Sequence, residues 1–121
     1  MLATDLYREE ILDHYQHPRN FGKLAKADTF SHQTNPLCGD DIAMFVKFKG
    51  ENVDDISFQG KGCAICLAGA SMLTEFAKGK RKTKLTKFSE NDMLALLGIE
   101  VSETRKKCAM LSLAVLKDCL K

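Results

Sequence analysis

Asp41-Ile42-Ala43-Met44-Phe45-Val46-Lys47-Phe48-Lys49-Gly50-Glu51-Asn52-Val53-Asp54-Asp55-Ile56-Ser57-Phe58-Gln59-Gly60 reads as two strands and a turn, and Lys61-Gly62-Cys63-Ala64-Ile65-Cys66-Leu67-Ala68-Gly69-Ala70-Ser71 runs on from it into a helix. Ile42, Met44, Val46 and Phe48 alternate with Ala43, Phe45, Lys47 and Lys49, the period of a half-buried strand. Lys49-Gly50-Glu51-Asn52 supplies the hairpin connection, and Ile56 and Phe58 continue the alternation from Val53 to Gln59. Residues 64–78 are apolar on most sides, which predicts a core helix lying under the sheet.

Working outward, Leu6, Tyr7, Ile11, Leu12 and Tyr15 recur at helical spacing across Ala3–Gln16, and Pro18 ends that pattern in a turn-rich exit from His17 to Gly22. Asp28 to His32 alternates weakly and reads as an edge strand, and Asn35 to Asp40 reads as a loop. Ser89 caps a short helix that Gly98 terminates, and Ser102-Glu103 opens a last helix to about Leu120 with Leu111, Val115 and Cys119 on one stripe. The expected architecture is a single α+β domain over residues 1–121: a small antiparallel three-stranded sheet with helices packed on one face.

A formal net charge of +2 does not by itself point to nucleic acid or membrane. Residues 78–87 hold six basic side chains, Lys78, Lys80, Arg81, Lys82, Lys84 and Lys87, without interleaved aromatics. They read as a solvated face or a docking surface for an acidic protein, and no nucleic-acid partner is expected. No apolar run approaches the roughly 18 residues of a membrane span, and the first residues lack signal-peptide character, so a cytoplasmic location is expected. An odd number of cysteines, five, argues for metal or redox chemistry over a disulfide framework.

Cys63 stands where a helix begins, so unpaired N–H groups and the macrodipole favour its thiolate, and Lys61 adds positive charge. The flanking Gly60 and Gly62 are expected to leave its sulfur uncovered. Cys38 precedes the strongest strand and Cys108 lies in the first turns of the last helix; hairpin topology can bring all three to one end of the sheet, with Asp40 as an oxygen donor. Three sulfurs and one oxygen suit tetrahedral Zn(II) or anchor an iron–sulfur cluster. The competing reading makes Cys38 and Cys108 small buried hydrophobes. None of His14, His17 and His32 reads as a ligand.

The chain resembles iron–sulfur cluster assembly scaffolds of the IscU/NifU/SufU type along nearly its whole length. The words that carry the resemblance are Leu6-Tyr7, Ile11-Leu12-Asp13-His14-Tyr15, His17-Pro18-Arg19-Asn20 with Gly22, Asn35-Pro36 with Cys38-Gly39-Asp40, Gly60-Lys61-Gly62-Cys63-Ala64-Ile65 with Ala70-Ser71, and Arg105 with Cys108-Ala109 and Leu111. The resemblance implies that Cys38, Asp40, Cys63 and Cys108 hold a nascent [2Fe–2S]-type cluster or a zinc ion. It also implies a cysteine desulfurase as sulfur donor, with Cys63 and Cys108 as candidate persulfide acceptors, and iron–sulfur apoproteins or carriers as recipients.

Two departures bear on the activity. Lys107 stands where many cluster-holding scaffolds carry histidine and, with Arg105, resembles the zinc-dependent SufU branch, whereas the short connection from Lys78 to Ser102 resembles the ordinary scaffolds. Cys66 replaces the usual serine. The favoured reading is a small packing residue; an extra ligand, a persulfide relay and a reversible disulfide with Cys63 are the alternatives. A Cys-x-x-Cys thiol oxidoreductase is the third functional reading. Cys119 reads as packing.

Overall fold

The computed structural model describes residues 3–121, with side chains from Arg8 onward, so the side chains of Leu6 and Tyr7 lie outside the described residues. Its elements in order are α1 (Ala3–Gln16), β1 (Thr29–Asn35), β2 (Asp40–Lys49), β3 (Asn52–Lys61), α2 (Ala64–Ala77), α3 (Lys82–Thr86), α4 (Glu90–Leu97) and α5 (Glu103–Cys119). The three strands form one antiparallel sheet in the order β1-β2-β3.

The alternation in β2 decides which face is covered. Ile42, Met44 and Val46 are fully buried, as are Ile56 and Phe58 on β3, and they meet Leu73 and Ala70 of α2 and Leu116 and Val115 of α5 in one core. Phe48 leaves the series half-buried because the β2–β3 register shifts between Lys47 and Phe48. Phe30 and Phe45 pair on the opposite, open face of the sheet, their ring centroids 5.1 Å apart. Helices on one face were expected, and that is the arrangement found.

Strand β1 is longer than its own pattern suggests, running through Asn35 instead of ending near His32. It has little apolar content of its own. It is held by pairing with β2 and by α5, whose Asp118 accepts hydrogen bonds from Ser31 and Gln33. Tertiary packing here overrides weak local preference.

The free edge of β3 is covered. Phe58 donates to Asn20 O and Gly22 donates to Phe58 O, while Val53 donates to Lys80 O and Gly79 donates to Val53 O. An unpaired strand edge is a template for aggregation, and these two segments close it. The basic run therefore has a structural task that sequence reading missed: its backbone lines β3 and then coils into α3. Lys82 lies over the Phe48 ring at 4.1 Å, and Lys80 and Lys84 lie over Phe76.

Helix α1 is fastened to α2 through a buried hydroxyl. Ser71 Oγ accepts from the Arg19 N–H at 2.8 Å and lies 2.7 Å from Nδ1 of His14, which is buried. The Ser71 hydroxyl can donate to Nδ1 in the tautomer that carries its proton on Nε2, the nitrogen that lies 3.9 Å from Glu75 Oε1. Helix α4 begins with a capping box between Ser89 and Asp92 and ends at Gly98 in the left-handed conformation, as its sequence indicates.

Candidate metal centre

Strand pairing assembles the site. Asn35 pairs with Asp40, closing the β1–β2 turn in which Cys38 sits, and Cys38 N–H donates to Asn35 O. Asp41 pairs with Lys61, so the start of β2 and the end of β3 share one end of the sheet, and Cys63 follows two residues later as the N-cap of α2. The second turn of α5 delivers Cys108 to the same end.

Ligand atoms of Cys38, Asp40 and Cys108 lie within 4.8 Å of one another. Cys38 is exposed, whereas Asp40 and Cys108 are each 1% exposed. Cys63 stands beside this group and outside it: its backbone N–H donates to Asp40 Oδ1 at 3.1 Å, and it is partly exposed. Asp40 Oδ2 is buried without a hydrogen-bond partner. A buried carboxylate oxygen with no partner is costly unless something outside the chain completes it. Two thiols and a carboxylate oxygen of Asp40 lying this close together form a donor set fit for a metal ion, with Cys63 outside the group at its rim.

Burial first, and then the neighbouring Asp40 and Cys38 side chains, push the Cys108 thiol well above the usual range. Bound metal reverses that preference by favouring the thiolate. Asn35 Nδ2 lies 4.0 Å from Cys108 Sγ and orients it. Asn35-Pro36 is a turn and one of the words that carry the family resemblance, but its contact with Cys108 depends on the fold and is not legible in its spacing.

The glycines act differently from expectation. A Cβ on Gly62 would fall 2.4 Å from Asp40 Oδ1, and one on Gly60 would fall 2.1 Å from the Asp41 carbonyl oxygen. Their clearance is occupied from within the chain by β2, and it lets α2 start against Asp40. Cys66 and Cys119 are each 1% exposed. Burial pushes the Cys119 thiol up to about 11, and its Sγ faces Met44 O at 3.8 Å, which agrees with a packing role. Burial, followed by the charge of Asp40, also pushes the Cys66 thiol upward.

His14 packs between helices, and His32 pairs with Asp41 at 2.7 Å. Among the described residues, a hollow of about 390 Å³ adjoins Cys38 and is lined by Asn35, Leu37, Cys38, Glu103, Thr104 and Lys107. Leu37 is 83% exposed at its mouth. A larger hollow of about 550 Å³ on the open sheet face contains no cysteine.

A small α+β fold whose sheet end gathers Cys38, Asp40 and Cys108, with Cys63 at the rim, defines a domain with a candidate metal centre. The profile of the NifU-like N terminal domain matches residues 6–121, and the chain belongs to that family. It is 40% identical over 93 residues to the iron–sulfur cluster assembly scaffold protein IscU 1 of Archaeoglobus fulgidus, a match covering 77% of this chain and 61% of that protein. It is 40% identical over 124 residues to the zinc-dependent sulfurtransferase SufU of Bacillus subtilis, covering 88% and 84%. The chain thus spans less than two thirds of the Archaeoglobus relative. The crystal structure of a putative iron–sulfur cluster assembly scaffold protein for the SUF system from Fervidobacterium islandicum superposes with a TM-score of 0.83 at 27% identity, covering 93% of this chain and 95% of that one.

Proposed function

We propose that this chain is an iron–sulfur cluster assembly scaffold, acting as one domain, that receives sulfur from a cysteine desulfurase and passes a nascent [2Fe–2S]-type cluster to recipient apoproteins or carriers. The observation that carries the reading is the convergence of Cys38, Asp40 and Cys108 on one point, with a buried, unpartnered carboxylate oxygen among them. Cys63 completes the ligand set. A carboxylate is a weaker match than thiolate for iron in a sulfide cluster, so Asp40 keeps the cargo transferable. Cys63 and Cys108 are the persulfide acceptors in this reading, and Cys63, which is partly exposed, is the more open of the two to a donor. Five free thiols suit a reducing compartment such as the cytoplasm, and no described helix is long and apolar enough to cross a membrane.

A second reading is a zinc-bound sulfurtransferase, supported by Lys107 lining the hollow beside Cys38, where a histidine could have served as a further ligand, and by the relative named as a zinc-dependent sulfurtransferase. Zinc held by the same residues would lower the thiols' proton affinity and fix their geometry. One anaerobic preparation separates the two. Acid-labile sulfide that moves to an apo-ferredoxin supports the scaffold; stoichiometric zinc with strong stimulation of a desulfurase, and no transferable sulfide, overturns it.

A further inference from the structure

Cys63 and Cys66 are paired by their positions on α2. Cys63 is the N-cap, with extended backbone (φ −72°, ψ 167°), and Cys66 is the third helical residue. Helical rise and radius put Cα atoms three residues apart at about 5 Å, inside the roughly 4.4–6.8 Å that a disulfide spans. An N-cap side chain ordinarily folds back onto the N–H of the third helical residue; the Cys63 side chain makes no such bond, so its sulfur is uncommitted. Cys63 is partly exposed and Cys66 is 1% exposed. Asp40, itself 1% exposed, bonds Cys63 N–H through Oδ1 while Oδ2 has no partner, which marks this corner as one that receives a group from outside the chain.

We propose that Cys66 is the resolving thiol for a persulfide on Cys63, so that this chain itself supplies the two electrons that turn delivered sulfur into sulfide. The inference rests on the sulfur-receiving reading above and adds the source of reducing equivalents. A sulfur atom delivered to Cys63 stands as Cys63–Sγ–SH. The Cys66 sulfur attacks Sγ of Cys63, the Cys63–Cys66 bond forms, and the bond to the terminal sulfur breaks. That sulfur leaves with the electron pair as hydrosulfide and takes the proton from Cys66, departing as hydrogen sulfide. The two thiols are oxidised to a disulfide by two electrons and the terminal sulfur is reduced by two. A dithiol reductant from outside then restores both thiols.

The test uses the metal-free chain under anaerobic conditions with inorganic polysulfide as the sulfur donor. Tryptic cleavage isolates residues 62–78, which contain Cys63 and Cys66 and no other cysteine, while Cys38 falls in a separate peptide. Wild type is expected to release sulfide without added reductant, and residues 62–78 to lose two hydrogens. In Cys66→Ser the same peptide keeps the mass of one extra sulfur, and sulfide release slows at least about tenfold. Equal release from a folded Cys66→Ser chain overturns the inference. A peptide 62–78 that never gains sulfur while the Cys38 peptide does also overturns it, and leaves the sulfur-receiving reading standing. Failure of every cysteine peptide to gain sulfur overturns both. Should Cys66→Ser not fold, the wild-type peptide decides alone, since absence of the intrapeptide disulfide overturns the inference.

Discussion

The backbone N–H of Cys63 donates to Oδ1 of Asp40 at 3.1 Å, tying the start of α2 to the start of β2 within the thiol cluster. One carboxylate oxygen thus ties two elements together, and the other is buried without a partner. Structure and chemistry share a single side chain.

That division makes Asp40→Asn informative. Asparagine keeps an Oδ1 acceptor for Cys63 N–H and exchanges the unpartnered carboxylate oxygen for an amide nitrogen, which cannot ligate a metal and whose N–H groups can donate to the neighbouring thiol sulfurs. The metal-free variant is expected to be at least as stable as the parent in urea melts, while zinc affinity, measured against a chromophoric chelator, falls at least about tenfold. Unchanged affinity would show that Asp40 is no ligand.

Gly62→Ala is expected to disrupt the site from the backbone. Its Cβ would lie 2.4 Å from Asp40 Oδ1, at a φ of +157° that side chains rarely adopt. Loss of the Asp40–Cys63 bond should cost about 1–3 kcal/mol and weaken metal binding with Cys38, Asp40, Cys63 and Cys108 all unchanged. Thermal melts with and without zinc check both parts.

The His14 imidazole predicts acid sensitivity. Burial first, and then the charge of Arg19, lower its pKa from 6.5, against the opposing pull of Glu75, Glu10 and Asp13. The unfolded chain therefore takes up the proton at a higher pH than the folded one. Stability from this group is full above about pH 6.5 and is lost as pH falls toward the lower folded value. Urea midpoints at neutral and mildly acid pH should fall for wild type and flatten in His14→Gln. A wild-type profile without that slope contradicts the assignment.

Ser89→Ala removes one side of the capping box on α4 and is expected to cost about 0.5–2 kcal/mol, read from a shifted denaturation midpoint. Because α4 supplies no residue to the thiol cluster or to the hollow beside Cys38, zinc affinity of the folded variant should stay at the parental level. A matching loss of affinity would show that the connection from Lys78 to Ser102 couples to the site.

Much is legible in the residues alone. Period-two alternation in Ile42, Met44 and Val46 is a covalent property of the strand, and it set the covered face. The caps Ser89 and Gly98 signal through local hydrogen bonding and backbone freedom, which neighbouring residues alone decide. The words around Cys38, Asp40, Cys63 and Cys108 identified the family, later matched over residues 6–121. Only the folded chain decided what those residues touch. Asp40 gained one partnered and one orphaned oxygen because β2 begins beneath the N-terminus of α2, a relation set by the Asp41–Lys61 register. Gly60 and Gly62 proved to clear space for β2, and residues 78–87 proved to seal the edge of β3, because both roles depend on backbone approached from elsewhere in the chain. The division of Cys63 and Cys66 into an accessible and a buried thiol likewise belongs to the tertiary structure: three residues on a helix fix their spacing, but burial is decided by what packs against that helix.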